Sequence, residues 1–211
     1  MNWNPSTHHM PLNLLENDVS TGSRIGGTPP INIPSNLTCP VCQGKIEYIL
    51  TLGEDALGEA AKNKELSFFV CEDFDCRWKS QRLIAPSSLI FLLHDACGRG
   101  KKGDMDSPSD GLGLKTGALT QDPTDEDGLV TTEKSKIGGG PGWIQSWGKN
   151  EGANIMKKGY MFLFQYEQPV YPDHKNSGAD PFGFGAVYVF AKKNKNNLPD
   201  LSDVVGFWQK T

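Results

Sequence analysis

"SRIGGTPP" at residues 23–30 and "SKIGGGPG" at residues 135–142 are two versions of one motif, and this motif decides the fold that the sequence predicts. Both contain Ser, a basic residue, Ile, Gly, Gly, any residue and Pro, and they are separated by 112 residues. Glycine permits a positive φ and a close backbone approach, while proline fixes the backbone of the turn. We therefore interpret each motif as a turn that directs Ile25 or Ile137 into a core.

A phosphate-binding loop is the alternative interpretation of these glycines, and the sequence around them argues against it. Such a loop follows a strand, precedes a helix and ends in Gly-Lys-Ser/Thr, so that backbone N–H groups and a lysine converge on the anion. Here the glycines of the second motif are followed by "WIQSW" at residues 143–147. The sequence context therefore favours a structural turn.

Strand-like segments follow both motifs and extend the repeat. "KIEYILTLG" (45–53) corresponds to "GYMFLFQYE" (159–167), and "ELSFFVC" (65–71) corresponds to "GAVYVFA" (185–191). All four are rich in the aromatic and aliphatic residues that strands favour. The sequence thus predicts an α+β, mostly β fold with internally duplicated β-hairpin units.

The chain divides by composition into four parts. Residues 1–20 are predicted to be a flexible tail that includes His8 and His9, and residues 21–97 form the first repeat. Residues 98–134 are rich in Gly, Asp, Ser, Thr and Pro and contain no aromatic residue, which predicts a long mobile linker. Residues 135–211 form the second repeat, and we expect the two repeats to form one compact domain.

Two cysteine pairs in the first repeat predict a metal site. Cys39 and Cys42 are spaced C-x2-C, and Cys71 and Cys76 are spaced C-x4-C, within the range of structural zinc sites. Four separately buried or free thiols are the alternative. Four thiolates leave no open coordination position, so we predict one structural Zn²⁺ and no catalytic metal.

The second repeat lacks these cysteines and must be stabilised by packing. "AKKNKN" replaces "CEDFDC", and no C-x-x-C precedes its first strand. Aromatic side chains can supply the packing. The candidates are Trp143, Trp147, Phe162, Phe164, Tyr188 and Phe190.

Composition excludes several classes of partner. The formal charge of −4 and the acidic residues between Cys71 and Cys76 argue against a nucleic-acid partner. No apolar run is long enough to span a membrane. The five cysteines are an odd number, and four of them lie in closely spaced pairs, which indicates a reducing compartment and metal binding rather than disulfides. We therefore predict a cytoplasmic protein.

No catalytic motif is present in the sequence, and no catalytic residue is predicted. His94 and Cys97 lie in "HDACGRG" and have three possible roles. They are an activated thiol and its base, or they mark the end of a strand where the thiol is partly buried, or one of them replaces a cysteine as a zinc ligand. His174 lies beside Asp173 in a proline-containing loop. A zinc-dependent hydrolase or nucleic-acid-processing enzyme that uses these residues is the alternative to a non-enzymatic protein.

The second motif and the strands after it resemble the YwqG-like family, which is related to programmed cell death protein 2. The resemblance covers residues 135–191 well and the first repeat more loosely, where Ile31 replaces the motif tryptophan and Thr51 replaces a glutamine. The matching residues are Lys136, Ile137, Gly138, Gly139, Pro141, Trp143, Gln145, Leu163, Gln165, Gly185, Tyr188 and Phe190.

The resemblance implies a function as well as a fold. YwqG-like proteins are expected to fold as a duplicated, mostly β unit without established catalytic residues. Their association with toxin systems implies a bacterial immunity protein that binds and neutralises a cognate toxin. From the sequence we thus expect a zinc-stabilised, protein-binding module.

Overall fold

The computed structural model describes residues 8–15, 21–82, 86–100, 111–124, 135–167, 182 and 185–210. The chain divides into two compact units. The knuckle unit comprises Leu14–Lys115 and Val170–Pro181, and the C-terminal unit comprises Met1–Asn13, Thr116–Pro169 and Phe182–Thr211. The structure is mostly β, which confirms the predicted fold class.

In the part of the knuckle unit that the structure describes, five antiparallel strands form the sheet. They are β2 (Arg24–Ile25), β3 (Ile46–Leu52), β4 (Lys64–Cys71), β5 (Leu89–Asp95) and β6 (Leu112–Thr116), numbered in chain order. Their order across the sheet is β6-β2-β3-β4-β5. Two short helices, α1 (Glu54–Leu57) and α2 (Phe74–Ser80), and a 3₁₀ turn at Gly58–Ala61 connect the strands.

The C-terminal unit is built on a second antiparallel sheet. Its strands are β1 (His8–Leu14), β7 (Thr120–Gln121), β8 (Lys136–Gly138), β9 (Tyr160–Glu167), β10 (Ala186–Lys193) and β11 (Pro199–Gln209). Helix α3 (Ser146–Lys157) lies between β8 and β9 in the chain. These strands pair in the order β7-β1-β8-β9-β10-β11. The four strand-like segments predicted from the sequence correspond to β3, β4, β9 and β10.

The strand register confirms the internal repeat. In the knuckle unit Arg24 of β2 lies opposite Thr51 of β3. In the C-terminal unit Lys136 of β8 lies opposite Gln165 of β9. Thr51 therefore occupies the position of Gln165, as the comparison of the two sequence halves predicts.

The Gly-Gly-Pro motifs are turns, as predicted. Gly27 and Gly139 have φ values of 66° and 71°, a region that glycine adopts readily and other residues adopt only with strain. The isoleucine before each turn is buried, with 2% exposure for Ile25 and 1% for Ile137. Each turn thus places an apolar side chain in the core of its own unit.

The predicted flexible tail and mobile linker are wrong where the structure describes them. Residues 8–14 of the tail form β1, which pairs with β7 and β8. Within the linker, residues 112–116 form β6, which pairs with β2, and residues 120–121 form β7. Backbone pairing with distant strands orders these segments, and their composition carries no signal of it.

Asp122 also lies within the predicted mobile linker, but it has fixed partners in the C-terminal unit. It is buried, and its carboxylate accepts a hydrogen bond from Lys136 Nζ at 2.8 Å and from the Gly140 backbone N–H at 2.6 Å. His9 Nδ1 lies 2.9 Å from the same carboxylate. His9 therefore belongs to a buried ionic cluster and not to a free terminus.

Aromatic packing stabilises the C-terminal unit, as predicted. Trp143 packs against Tyr188 with ring centroids 4.8 Å apart, and Phe162 packs against Phe190 at 5.7 Å. The sequence analysis missed Phe207 of β11, whose ring is 5.4 Å from Tyr188. It also missed α3, whose glycines Gly148 and Gly152 lie against Gln209 and Trp143, where an added Cβ would overlap those side chains.

Candidate metal centre

The first cysteine pair lies in a tight turn that precedes β3. The Gln43 backbone N–H donates to the Cys39 carbonyl at 2.8 Å, and the Cys39 N–H donates to the Gly44 carbonyl at 3.0 Å. Gln43 has a φ of 61°, which reverses the chain between Cys42 and Gly44. This turn directs both sulfurs of the pair to the same side.

The second cysteine pair joins the end of a strand to the start of a helix. Cys71 is the last residue of β4, and Cys76 lies in the first turn of α2. The Asp73 side chain caps this helix by accepting a hydrogen bond from the Cys76 N–H at 3.0 Å. The helical turn explains how a C-x4-C spacing brings two sulfurs together, although the sequence analysis predicted no helix here.

All four predicted cysteines meet in one cluster. The Sγ atoms of Cys39 and Cys76 are 3.8 Å apart, those of Cys42 and Cys71 are 3.5 Å apart, and all four lie within 4.8 Å of one another. A tetrahedral ion with metal–sulfur bonds of about 2.3 Å requires sulfurs about 3.8 Å apart. The cysteines are free, so the geometry fits a zinc knuckle and not a pair of disulfides.

Apolar residues enclose most of the cluster. Cys39 and Cys71 have no solvent exposure, whereas Cys42 is exposed at the tip of the turn. The cysteines share their core with an apolar set that covers one face of β3, β4 and β5. Its members are Ile33, Ile46, Tyr48, Phe69 and Ile90, with Leu37 and Leu92 packed beside them.

The protein environment shifts the pKa values of Cys42, Cys71 and Cys76 in different directions. The backbone N–H of Gly44, 3.4 Å from the sulfur of Cys42, lowers the pKa of that thiol. Burial raises the pKa of Cys71, and burial also raises the pKa of Cys76, to about 12. The two buried thiols therefore need a bound cation to ionise near neutral pH.

His94 and Cys97 do not belong to this cluster, so they do not substitute for one of the four cysteines. The ligand atoms of His94, Cys97 and Glu65 form a separate group, all within 4.8 Å of one another. Cys97 Sγ lies 4.0 Å from His94 Nδ1 and donates to Asn32 Oδ1 at 3.0 Å. Burial lowers the pKa of His94, which keeps this imidazole neutral near pH 7. His174 lies outside the described residues.

Among the described residues, the basic residue of each Gly-Gly-Pro motif forms a buried ion pair, which the sequence pattern does not predict. Arg24 has no solvent exposure and donates to both carboxylate oxygens of Glu65, at 2.9 and 3.0 Å. Lys136, the equivalent basic residue of the second motif, is equally buried and pairs with Asp122. The sequence contains one indication of these ion pairs, which is the basic residue between Ser and Ile in both motifs. Its repetition favours a common structural role.

Comparisons with known proteins leave the family open. No family model matches the sequence, and no curated protein matches it. The resemblance to YwqG-like proteins stays a prediction. Among the described residues, no helix combines the length and the apolar character needed to cross a membrane.

Proposed function

We propose that the chain is a non-enzymatic protein-binding module whose knuckle unit is stabilised by one Zn²⁺ on Cys39, Cys42, Cys71 and Cys76. The single observation that carries the proposal is the spacing of the four sulfurs, 3.5 and 3.8 Å within the closest pairs. Zinc suits four thiolates in tetrahedral geometry. Because sulfur fills every coordination position, the ion stabilises the fold and does not activate water.

An exposed aromatic pair on the knuckle supports binding to a protein. Phe74 and Trp78 lie one turn apart on α2, are 54% and 45% exposed, and stack with ring centroids 6.3 Å apart. Large exposed aromatic side chains of this kind are enriched at protein interfaces. Because the metal cluster fixes Cys76 in the same helix, it also holds this aromatic pair in place.

The acidic residues beside Phe74 favour a basic partner surface. Glu72, Asp73 and Asp75 are exposed at the start of α2. These carboxylates repel nucleic-acid phosphates and attract lysine and arginine side chains. Together with the family resemblance, this supports a cytoplasmic immunity protein that neutralises a cognate toxin.

Neutralisation in cells tests the proposal. The chain is co-expressed with each protein encoded by a neighbouring gene that stops growth when expressed alone. Growth is measured for the wild type, Phe74→Ser and a control, Leu198→Ser, in which the replaced residue is 37% exposed in the C-terminal unit. We expect the wild type and the control to restore growth and Phe74→Ser to lose most of this protection. The proposal fails if the wild type gives no protection, and its assigned surface fails if Phe74→Ser protects fully.

A second pair of variants distinguishes binding from catalysis. His94→Ala and Cys97→Ala remove the only two residues of the enzyme alternative that the structure describes. We expect both variants to restore growth as well as the wild type. Loss of protection in folded variants would favour the enzyme.

A further inference from the structure

A second group of metal-ligating side chains lies at the end of the knuckle sheet. It comprises Glu65 on β4, His94 on β5 and Cys97 just beyond β5, and their ligand atoms lie within 4.8 Å of one another. Strand register creates the group, because Glu65 and His94 lie directly opposite each other in the β4–β5 pair. Cys97 follows His94 by three residues, and its sulfur reaches to within 4.0 Å of His94 Nδ1.

We propose that Cys97 Sγ, His94 Nδ1 and a carboxylate oxygen of Glu65 bind a second, exchangeable divalent transition-metal ion. Thiolate, imidazole and carboxylate are the three ligand types that proteins offer to Zn²⁺ and Co²⁺. Three protein ligands leave a coordination position open, for which Asn32 Oδ1, 3.0 Å from Cys97 Sγ, or a water is suited. Four sulfurs leave no such position in the knuckle.

A chain of buried hydroxyl groups orients the imidazole for this role. His94 Nε2 lies 2.8 Å from Ser67 Oγ, which lies 2.7 Å from Thr51 Oγ1. Tyr48 donates to the same Thr51 oxygen at 2.8 Å. His94 Nδ1 also lies 2.9 Å from the Asp95 carbonyl oxygen, and it donates to this oxygen when no metal is bound, because a carbonyl oxygen only accepts. When Nδ1 binds a metal, the ring proton moves to Nε2. A histidine that binds a metal through one nitrogen donates from the other nitrogen to a fixed acceptor, and Ser67 Oγ then accepts from Nε2.

The surroundings of the group make its metal exchangeable. His94 and Cys97 are half-buried, so an ion can reach them from solvent. Arg24 holds Glu65 through both carboxylate oxygens, and its positive charge opposes a nearby cation. With one thiolate instead of four, and with this arginine close by, the site binds metal more weakly than the knuckle does.

Cobalt titration of the full chain tests the proposal. Metal-free, reduced protein is titrated with Co²⁺, and the bound equivalents are counted from the absorbance of the cobalt–thiolate bands for the wild type, Cys97→Ser and His94→Gln. We expect the wild type to bind two equivalents, the second more weakly, and both variants to bind one. Circular dichroism checks that the variants fold, and the amide of His94→Gln keeps a hydrogen-bonding partner for Ser67.

The result separates the two metal sites. A wild type that binds one equivalent at saturating Co²⁺, or variants that still bind two, would overturn the second site. Cys42→Ser provides the reciprocal control. Cys42 is the exposed cysteine of the cluster, so its loss should weaken the tight equivalent while the three buried thiols still hold Co²⁺ at saturation. The equivalent that depends on Cys97 should remain. The knuckle and the second site therefore succeed or fail independently.

Discussion

Arg24 and Lys136 occupy equivalent positions in the two sequence repeats, and both are completely buried beside a carboxylate. The partner of Arg24 is Glu65, which is 41 residues away on β4. The partner of Lys136 is Asp122, which precedes this lysine by 14 residues. Duplication has kept the buried cation, while the carboxylate comes from a different part of the chain in each unit.

The Arg24–Glu65 pair should be essential for the stability of the knuckle unit. Glu65→Gln leaves a buried guanidinium without its counter-charge, which costs about 3–5 kcal/mol of unfolding free energy. Urea denaturation measures the loss. The matched control is Glu59→Gln, because Glu59 pairs with Lys62 at 3.3 Å with both side chains mostly exposed. The control should change stability by no more than about 0.5 kcal/mol, and equal losses in the two variants would contradict the prediction.

Loss of the buried Cys71 should unfold the knuckle unit. Structural zinc contributes on the order of 10 kcal/mol to the folding of such sites, so Cys71→Ser should lose the tightly bound ion and the cooperative unfolding of this unit. Metal analysis of the purified protein and thermal unfolding are the measurements. Cys97→Ser is the control and should keep one tightly bound zinc. Normal stability of Cys71→Ser without metal would show that packing alone holds the unit.

The turn at Gly139 should tolerate no side chain, because two separate effects act there. Its φ of 71° strains any other residue by about 1–2 kcal/mol, and an added Cβ would also overlap the Asp122 carboxylate. Gly159→Ala separates the two effects, since Gly159 has a φ of 87° in the same unit, but an added Cβ there would meet only the end of the Lys192 side chain, at 3.7 Å. Denaturation midpoints should therefore fall further for Gly139→Ala than for Gly159→Ala. Equal shifts would mean that Asp122 moves aside without cost.

Acid should destabilise the C-terminal unit through His9. Burial lowers the pKa of His9 below its usual 6.5; Lys136 and His8 act in the same direction, and Asp122 opposes them. The folded state thus binds the proton less readily than the unfolded state. The stability that this histidine contributes is complete above about pH 6.5 and falls as the pH drops through the lowered pKa.

The free energy of unfolding at pH 7.5 and at pH 5.5 measures this effect. His9→Gln cannot take up the proton, so it should lose less stability between the two pH values than the wild type does. An identical pH dependence in the two proteins would exclude His9 as the group responsible.

The turns and strands that the sequence predicts correctly are those whose conformation depends on residues close together in the chain. The C-x-x-C turn, the Gly-Gly-Pro turns and the four apolar strands each depend on residues within a few positions of one another, so their patterns are visible in the chain. Helix α3 went unnoticed because its sequence, SWGKNEGANIMK, contains two glycines that weaken the helical pattern. Those glycines make room for Trp143 and Gln209, which lie elsewhere in the chain.

The sequence by itself determined the duplicated strands, the C-x-x-C turn, the Gly-Gly-Pro turns and the identity of the four clustered cysteines, because spacing and residue type specify local backbone geometry. Only the tertiary structure decided that residues 8–14 and 112–116 form strands, that Asp122 faces Lys136, and that Glu65, His94 and Cys97 converge. These arrangements depend on the register between strands far apart in the chain. The favourable contacts of such segments arise only when the partner strand is in place, so nothing in their own composition reveals them.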